Sequence, residues 1–193
     1  KETTKKLMRI LLVDFYDSFT FNLLHYLEYQ EIEVDIIRND KIKSLIFLDD
    51  YSHVVLSPGP GLPSEKENLQ EIVAYCSERI PVLGICLGMQ AIGQFLGGEL
   101  VNMGEVKHGV SERIFVDNSK RIFNNLPSSF DVGLYHSWCI VHLDDEFVDA
   151  RLENGKVMAI SCDSKKMYGV QFHPESILSS HGKELLINFI KLS

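Results

Sequence analysis

The chain has 193 residues, 45% of them hydrophobic and 24% charged, with 13 Gly and only 6 Pro. That is enough for one domain with its own core, and it excludes collagen-like, low-complexity and disordered chains. A net charge of −8 argues against a nucleic-acid groove or a basic membrane surface, and no apolar run approaches the roughly 20 residues of a spanning helix.

Lys1 to Lys6 are polar and basic, with no apolar stretch behind them long enough for a signal peptide. Residues 1–7 are expected to be an unstructured lead-in, with Met8-Arg9 reading as the natural start of a single domain over 8–193. Ile10-Leu11-Leu12-Val13 is a continuous apolar run, the mark of a strand buried on both faces. After Asp17-Ser18, both good helix caps, Phe19, Leu23, Tyr26 and Leu27 recur at helical spacing. Val34-Asp35-Ile36-Ile37 predicts a second strand, and His53-Val54-Val55-Leu56 a third, stopped by Ser57-Pro58-Gly59-Pro60-Gly61. Ser64-x-x-Glu67 reads as a capping box ahead of the stripe Leu69, Ile72, Val73 and Cys76. Pro81 to Ile85 is a fourth strand, followed by a helix marked by Ile92, Phe95 and Leu96 and ended by Gly97-Gly98. This alternation predicts an α/β fold, a mainly parallel twisted sheet with helices on both faces.

From about Glu99 the pattern turns strand-rich, predicting a smaller antiparallel part in the second half. Short strands are expected at Ile114-Phe115-Val116, Ile140-Val141, Val157 to Ile160 and Tyr168 to Phe172. A last helix follows Ser179-Ser180 and buries Leu185, Leu186, Phe189 and Ile190. There is no internal repeat and no linker.

Four cysteines, Cys76, Cys86, Cys139 and Cys162, are scattered without a C-x-x-C pair. They read as reduced thiols of a cytoplasmic protein. Cys76 on a buried helical stripe and Cys162 at a strand end fit packing better than chemistry.

Cys86 differs. Gly84-Ile85-Cys86-Leu87-Gly88 places a thiol between a buried strand and a helix, with glycine two residues away on either side. That is the pattern of a nucleophile elbow, whose tight turn pushes the nucleophile outward. The helix N-terminus favours thiolate, and the Leu87 N–H, which lacks an intrahelical partner, can face an oxyanion. The plainer alternative is a buried cysteine at a strand end.

A thiolate needs a base, and Phe172-His173-Pro174-Glu175 offers one at another strand end. Pro174 biases His173 toward extended backbone, where residues two apart point the same way, so Glu175 can reach the imidazole. Cys, His and Glu then follow the logic of a catalytic triad. The alternative for His173 and Glu175 is a surface pair. Ser57-Pro58-Gly59-Pro60-Gly61 is a rigid loop without bulky side chains that lets backbone N–H groups approach a ligand, though it matches neither a phosphate loop nor a dinucleotide fingerprint. His136, Cys139 and His142 do not make a metal site if extended, because Cys139 faces away and the histidines stand about 20 Å apart at strand rise. No cofactor enters this reading.

Together these segments resemble the class I, triad-type glutamine amidotransferases, from Ile10 to about Leu192. The most specific parts are Gly84-Ile85-Cys86-Leu87-Gly88-Met89-Gln90 and Gln171-Phe172-His173-Pro174-Glu175-Ser176. Asp17 to Asn22, Ser57 to Gly61 and Tyr135-His136-Ser137 look like the subunit serving chorismate-aminating synthases, which make anthranilate for tryptophan or aminodeoxychorismate for folate. The resemblance implies that Cys86, His173 and Glu175 hydrolyse L-glutamine through a thioester and deliver ammonia to a chorismate-binding partner subunit. It also implies an oxyanion hole from the N–H groups of Gly59 and Leu87, and a glutamine pocket lined by Gly59, Pro60, Gly61, Gln90, Ser137 and Trp138. Met89 stands where His is usual, Trp138 where Leu is frequent, Phe15 for Asn and Val110 for Lys. The rival readings are a thiol hydrolase of γ-glutamyl conjugates or peptides, and a non-catalytic regulatory relative.

Overall fold

The structure, a computed structural model, describes residues 8–28 and 32–193. The expected lead-in, residues 1–7, lies outside the described residues. In chain order the first half contains β1 (Met8–Asp14), α1 (Thr20–Leu27), β2 (Ile32–Arg38), β3 (His53–Leu56), α2 (Leu69–Cys76), β4 (Val82–Ile85) and α3 (Leu87–Phe95). The second half contains β5 (Glu99–Asn102), β6 (Val110–Val116), β7 (Ser129–Leu134), β8 (Trp138–Val141), β9 (Val148–Leu152), β10 (Val157–Cys162), β11 (Met167–Val170) and α4 (Gly182–Ile190).

Nine strands form one sheet in the order β2-β1-β3-β4-β11-β10-β9-β6-β7. The five from β2 to β11 run parallel, and the remaining pairings are antiparallel. A separate antiparallel pair joins β5 to β8. The run in β1 divides between the faces by strand alternation: Ile10 and Leu12 pack with α1 and α4, whereas Leu11 and Val13 pack with α2 and α3. Helices therefore cover both faces, as the parallel strands require. Connections leave β1 toward β2 on one side and from β3 toward β4 on the other. The resulting switch point lies at the strand C-termini, the end at which open α/β sheets bind ligands.

Several local expectations change. The box at Ser64 and Glu67 does not form: Pro63–Glu65 is one 3-10 turn, and the Glu65 carboxylate accepts the Leu62 N–H at 2.8 Å. Helix α2 starts only at Leu69, because Asn68 is left-handed, with φ 66°, and its side-chain amide is tied to the carbonyls of Asn39 and Ile42. Asp17 accepts the Phe19 N–H at 2.8 Å, but neither Asp17 nor Ser18 is the capping residue of α1. Gly97, at φ 98°, ends the turn after α3 as expected. Strands β5, β7 and β9 were not among the expected elements. In β9 the apolar pattern is broken by Asp149, which is nonetheless buried, held by Ser161 at 2.8 Å and Lys120 at 3.2 Å.

Candidate active site

Cys86 directly follows β4 and caps α3. Its backbone is at φ 51°, ψ −100°, a strained conformation for a non-glycine residue that costs on the order of 1–3 kcal/mol. The surroundings hold it there: its N–H donates to the Val170 carbonyl at 2.8 Å, and its own carbonyl accepts from Gln90 N–H at 3.0 Å. The flanking glycines are steric necessities. A methyl on Gly84 would overlap the backbone of Gly88 and Met89, and one on Gly88 would stand 2.8 Å from Leu56 Cβ. The thiol is almost buried, with Cys86 7% exposed.

Three residues past the end of β11, His173 is fixed by its backbone. Its N–H donates to the Gly133 carbonyl at 3.0 Å, and its carbonyl accepts from Ser179 Oγ at 2.6 Å. Nδ1 lies 2.6 Å from Glu175 Oε1, with both side chains out of water. A carboxylate acceptor puts a proton on Nδ1 and leaves Nε2 as the ring nitrogen that can exchange a proton. Nε2 is buried and has no hydrogen-bond partner among the described residues. Burial is the largest influence on the ring and disfavours its charge, yet interactions with Cys86 and Glu175 outweigh it and push His173 up to about 10. Thiol, imidazole and carboxylate thus form one electrostatic unit.

Leu87 N–H opens α3, and Gly59 lies against Leu87 and Phe15: a methyl there would approach both to about 3 Å. Gln90, one turn into α3, donates Nε2 to the Trp138 carbonyl and to Gln171 Oε1, each at 3.2 Å. Ser137 and Trp138 are half-buried, and the Ser137 carbonyl accepts Met103 N–H at 2.9 Å. Pro60 and Gly61 are exposed, with Gly61 against the Glu65 carboxylate, and no described contact joins either to the thiol.

Three residues without an assigned role also belong to the site. Gln171, fully buried, donates Nε2 to Cys86 Sγ at 3.4 Å. Phe19 meets the His173 ring edge-on at 5.6 Å, and Tyr135 covers it at 4.8 Å, with its hydroxyl 3.2 Å from Ser176 Oγ. The signal for Gln171 was available in its spacing: it stands two residues before His173 in a chain leaving a strand, hence on the same side.

The other cysteines sit elsewhere. Burial pushes the Cys76 thiol up to about 12 and raises Cys139. His136 is buried, which lowers its pKa, and donates Nδ1–H to the Trp138 carbonyl at 2.8 Å. His142 is exposed beside Glu99. Among the described residues no three His, Cys, Asp or Glu side chains are grouped to hold a metal ion, and no helix is long and apolar enough to cross a membrane.

The family model for class-I glutamine amidotransferase matches residues 11–192. The chain belongs to that family. It is a glutamine amidotransferase. It is 40% identical over 190 residues to anthranilate synthase component 2 of Cyanophora paradoxa, covering 94% of this chain and 97% of that one. It is 36% identical over 189 residues to the protein of that name from Pyropia yezoensis, covering 95% of this chain and 100% of the relative. Among solved structures, a candidate GMP synthase subunit from Thermoplasma acidophilum superposes with a TM-score of 0.85 at 28% identity, covering 96% of this chain and 94% of that one. A glutamine amidotransferase of Thermotoga maritima shares the fold at a TM-score of 0.73 and 17% identity, covering 95% and 96%.

Proposed function

We propose that this glutamine amidotransferase is the glutaminase subunit of a chorismate-aminating synthase, with Cys86 as nucleophile, His173 as general acid–base and Glu175 as its orienter. The observation that carries the chemistry is the buried hydrogen bond between Glu175 and His173, with Cys86, at the elbow, among the groups that raise the His173 imidazole. Cys86 acts as the thiolate, its proton held on His173 Nε2, and attacks the side-chain carbonyl carbon of glutamine. The oxyanion is met by the N–H groups of Leu87 and Gly59. When the carbon–nitrogen bond breaks, His173 returns the proton and ammonia leaves. Water, activated by the same imidazole, then cleaves the thioester to glutamate and restores the thiol.

Gly59, Pro60, Gly61, Gln90, Ser137 and Trp138 would line the glutamine pocket. Gln90 has its amide nitrogen engaged with Trp138 and Gln171, so its oxygen is the atom that can accept from the substrate's ammonium. The relatives' name, anthranilate synthase component 2, supports a synthase partner. Tyr16, Val106 and Ile177, exposed apolar side chains on the segments that follow β1, β5 and β11, suit a docking face. Ammonia released under such a face would reach the partner without meeting bulk water.

Co-purification from the native cell, followed by assay with chorismate and glutamine, tests the reading. Weak glutaminase activity alone, a large rise on docking, and anthranilate or aminodeoxychorismate as product are the expected results. If no chorismate-binding protein co-purifies or stimulates turnover, the partner assignment falls even where the thiol chemistry stands.

A further inference from the structure

Strands β4 and β11 run parallel with Ile85 opposite Val170, so the next residues, Cys86 and Gln171, leave the sheet side by side. Gln171 N–H is anchored to the Met158 carbonyl of β10 at 2.8 Å, which aims the side chain at the elbow. Its carboxamide is entirely out of water, an unfavourable place for a polar group unless each end is used. Both ends are. Oε1 accepts from Gln90 Nε2 at 3.2 Å, and Nε2 donates to Cys86 Sγ at 3.4 Å. Gln90 is in turn held by the Trp138 carbonyl, which also accepts from His136.

We propose that Gln171 is a positioning residue for the nucleophile, whose N–H holds the Cys86 sulfur and favours its anionic form, braced by Gln90 and Trp138. The inference rests on Cys86 being the nucleophile. An N–H donated to sulfur is worth more once the sulfur is negative, because a hydrogen bond to an ionised acceptor is about twice as strong as a neutral one. It also occupies one side of the sulfur, leaving the other for His173. With the thiol proton on Nε2, Gln171 keeps the charge that remains on Sγ. The brace gives the arrangement a further property: Gln90 and Trp138 belong to the proposed glutamine pocket, so the residues contacting substrate also set the donor on the sulfur.

The test is the alkylation of Cys86 by iodoacetamide across pH, followed by mass spectrometry of the Cys86 peptide. His173 is the titratable group at the sulfur, with Glu175 behind it and Asp17 and His136 in electrostatic reach of His173; the variants keep all four. Gln171→Met keeps length and flexibility but removes the donor. It is expected to slow alkylation about tenfold at neutral pH and to move the half-maximal point upward by about one pH unit. Gln90→Met removes the brace and leaves the donor, and is expected to give a smaller shift in the same direction. A mere packing role would change thermal stability and leave the profile in place. An unshifted profile in Gln171→Met, or in Gln90→Met should Gln171→Met not fold, overturns the role of Gln171 and leaves the nucleophile assignment standing. A Cys86 that never labels in the unmodified protein removes both.

Discussion

His173 Nδ1 and Glu175 Oε1 lie 2.6 Å apart, and the two side chains are 4% and 0% exposed. Two residues of one short segment thus bury an ionisable pair that a surface would have hydrated. Breaking such a pair by removing one partner costs about 3–5 kcal/mol, because the other is left uncompensated. The second carboxylate oxygen, Oε2, has no partner, so the stabilisation of Glu175 is concentrated on the imidazole.

That pairing predicts a pH dependence of stability. His173 is raised from 6.5 to about 10 in the folded protein, against the effect of its own burial, by Cys86 and Glu175. Its protonation therefore contributes stability that is fully present below about pH 6.5 and is lost as pH rises toward 10. Glu175→Gln removes one of the raising causes. Denaturant unfolding between pH 6.5 and 10 should show stability falling with pH in the unmodified chain and falling less steeply in Glu175→Gln. Parallel curves would refute the coupling.

Cys86→Ala should abolish glutamine-dependent product formation while the synthase partner keeps its ammonia-dependent reaction. Free ammonia bypasses the one step that the thiol performs. Assays of the complex with each nitrogen source decide it, and equal loss of both activities would contradict the division of labour.

A glutamine analogue with an electrophilic side chain should label one cysteine of the four. Cys76 and Cys139 are kept protonated by burial, and Cys162 ends β10 away from any imidazole contact among the described residues. Peptide mapping should find Cys86 modified first.

Gly182→Ala should weaken both fold and catalysis. A methyl on Gly182, the first residue of α4, would overlap the carbonyl of Pro174, between His173 and Glu175. Either α4 or the His173–Glu175 segment must move, at a cost of about 1–3 kcal/mol, and the glutaminase rate should fall with it. Thermal unfolding and steady-state assays measure the two effects, and a stable variant with full activity would contradict the packing described.

The sequence by itself determined the local parts. The run Ile10–Val13, the stripe Leu69, Ile72, Val73 and Cys76, and the glycines around Cys86 carry their structure in neighbouring residues. Period, volume and backbone freedom are local quantities. Where a tertiary contact competed, the local signal failed: Asn68, tied to Asn39 and Ile42, delays α2 past the apparent capping box, and the buried Asp149 hides β9. Only the tertiary structure decided who stands beside whom. Gln171 and Cys86 are 85 residues apart and adjoin because β11 enters beside β4 in one register. Phe19 and Tyr135 reach His173 from two other connections. Such neighbours are chosen by sheet pairing and burial across the whole chain, and no window of sequence contains both partners.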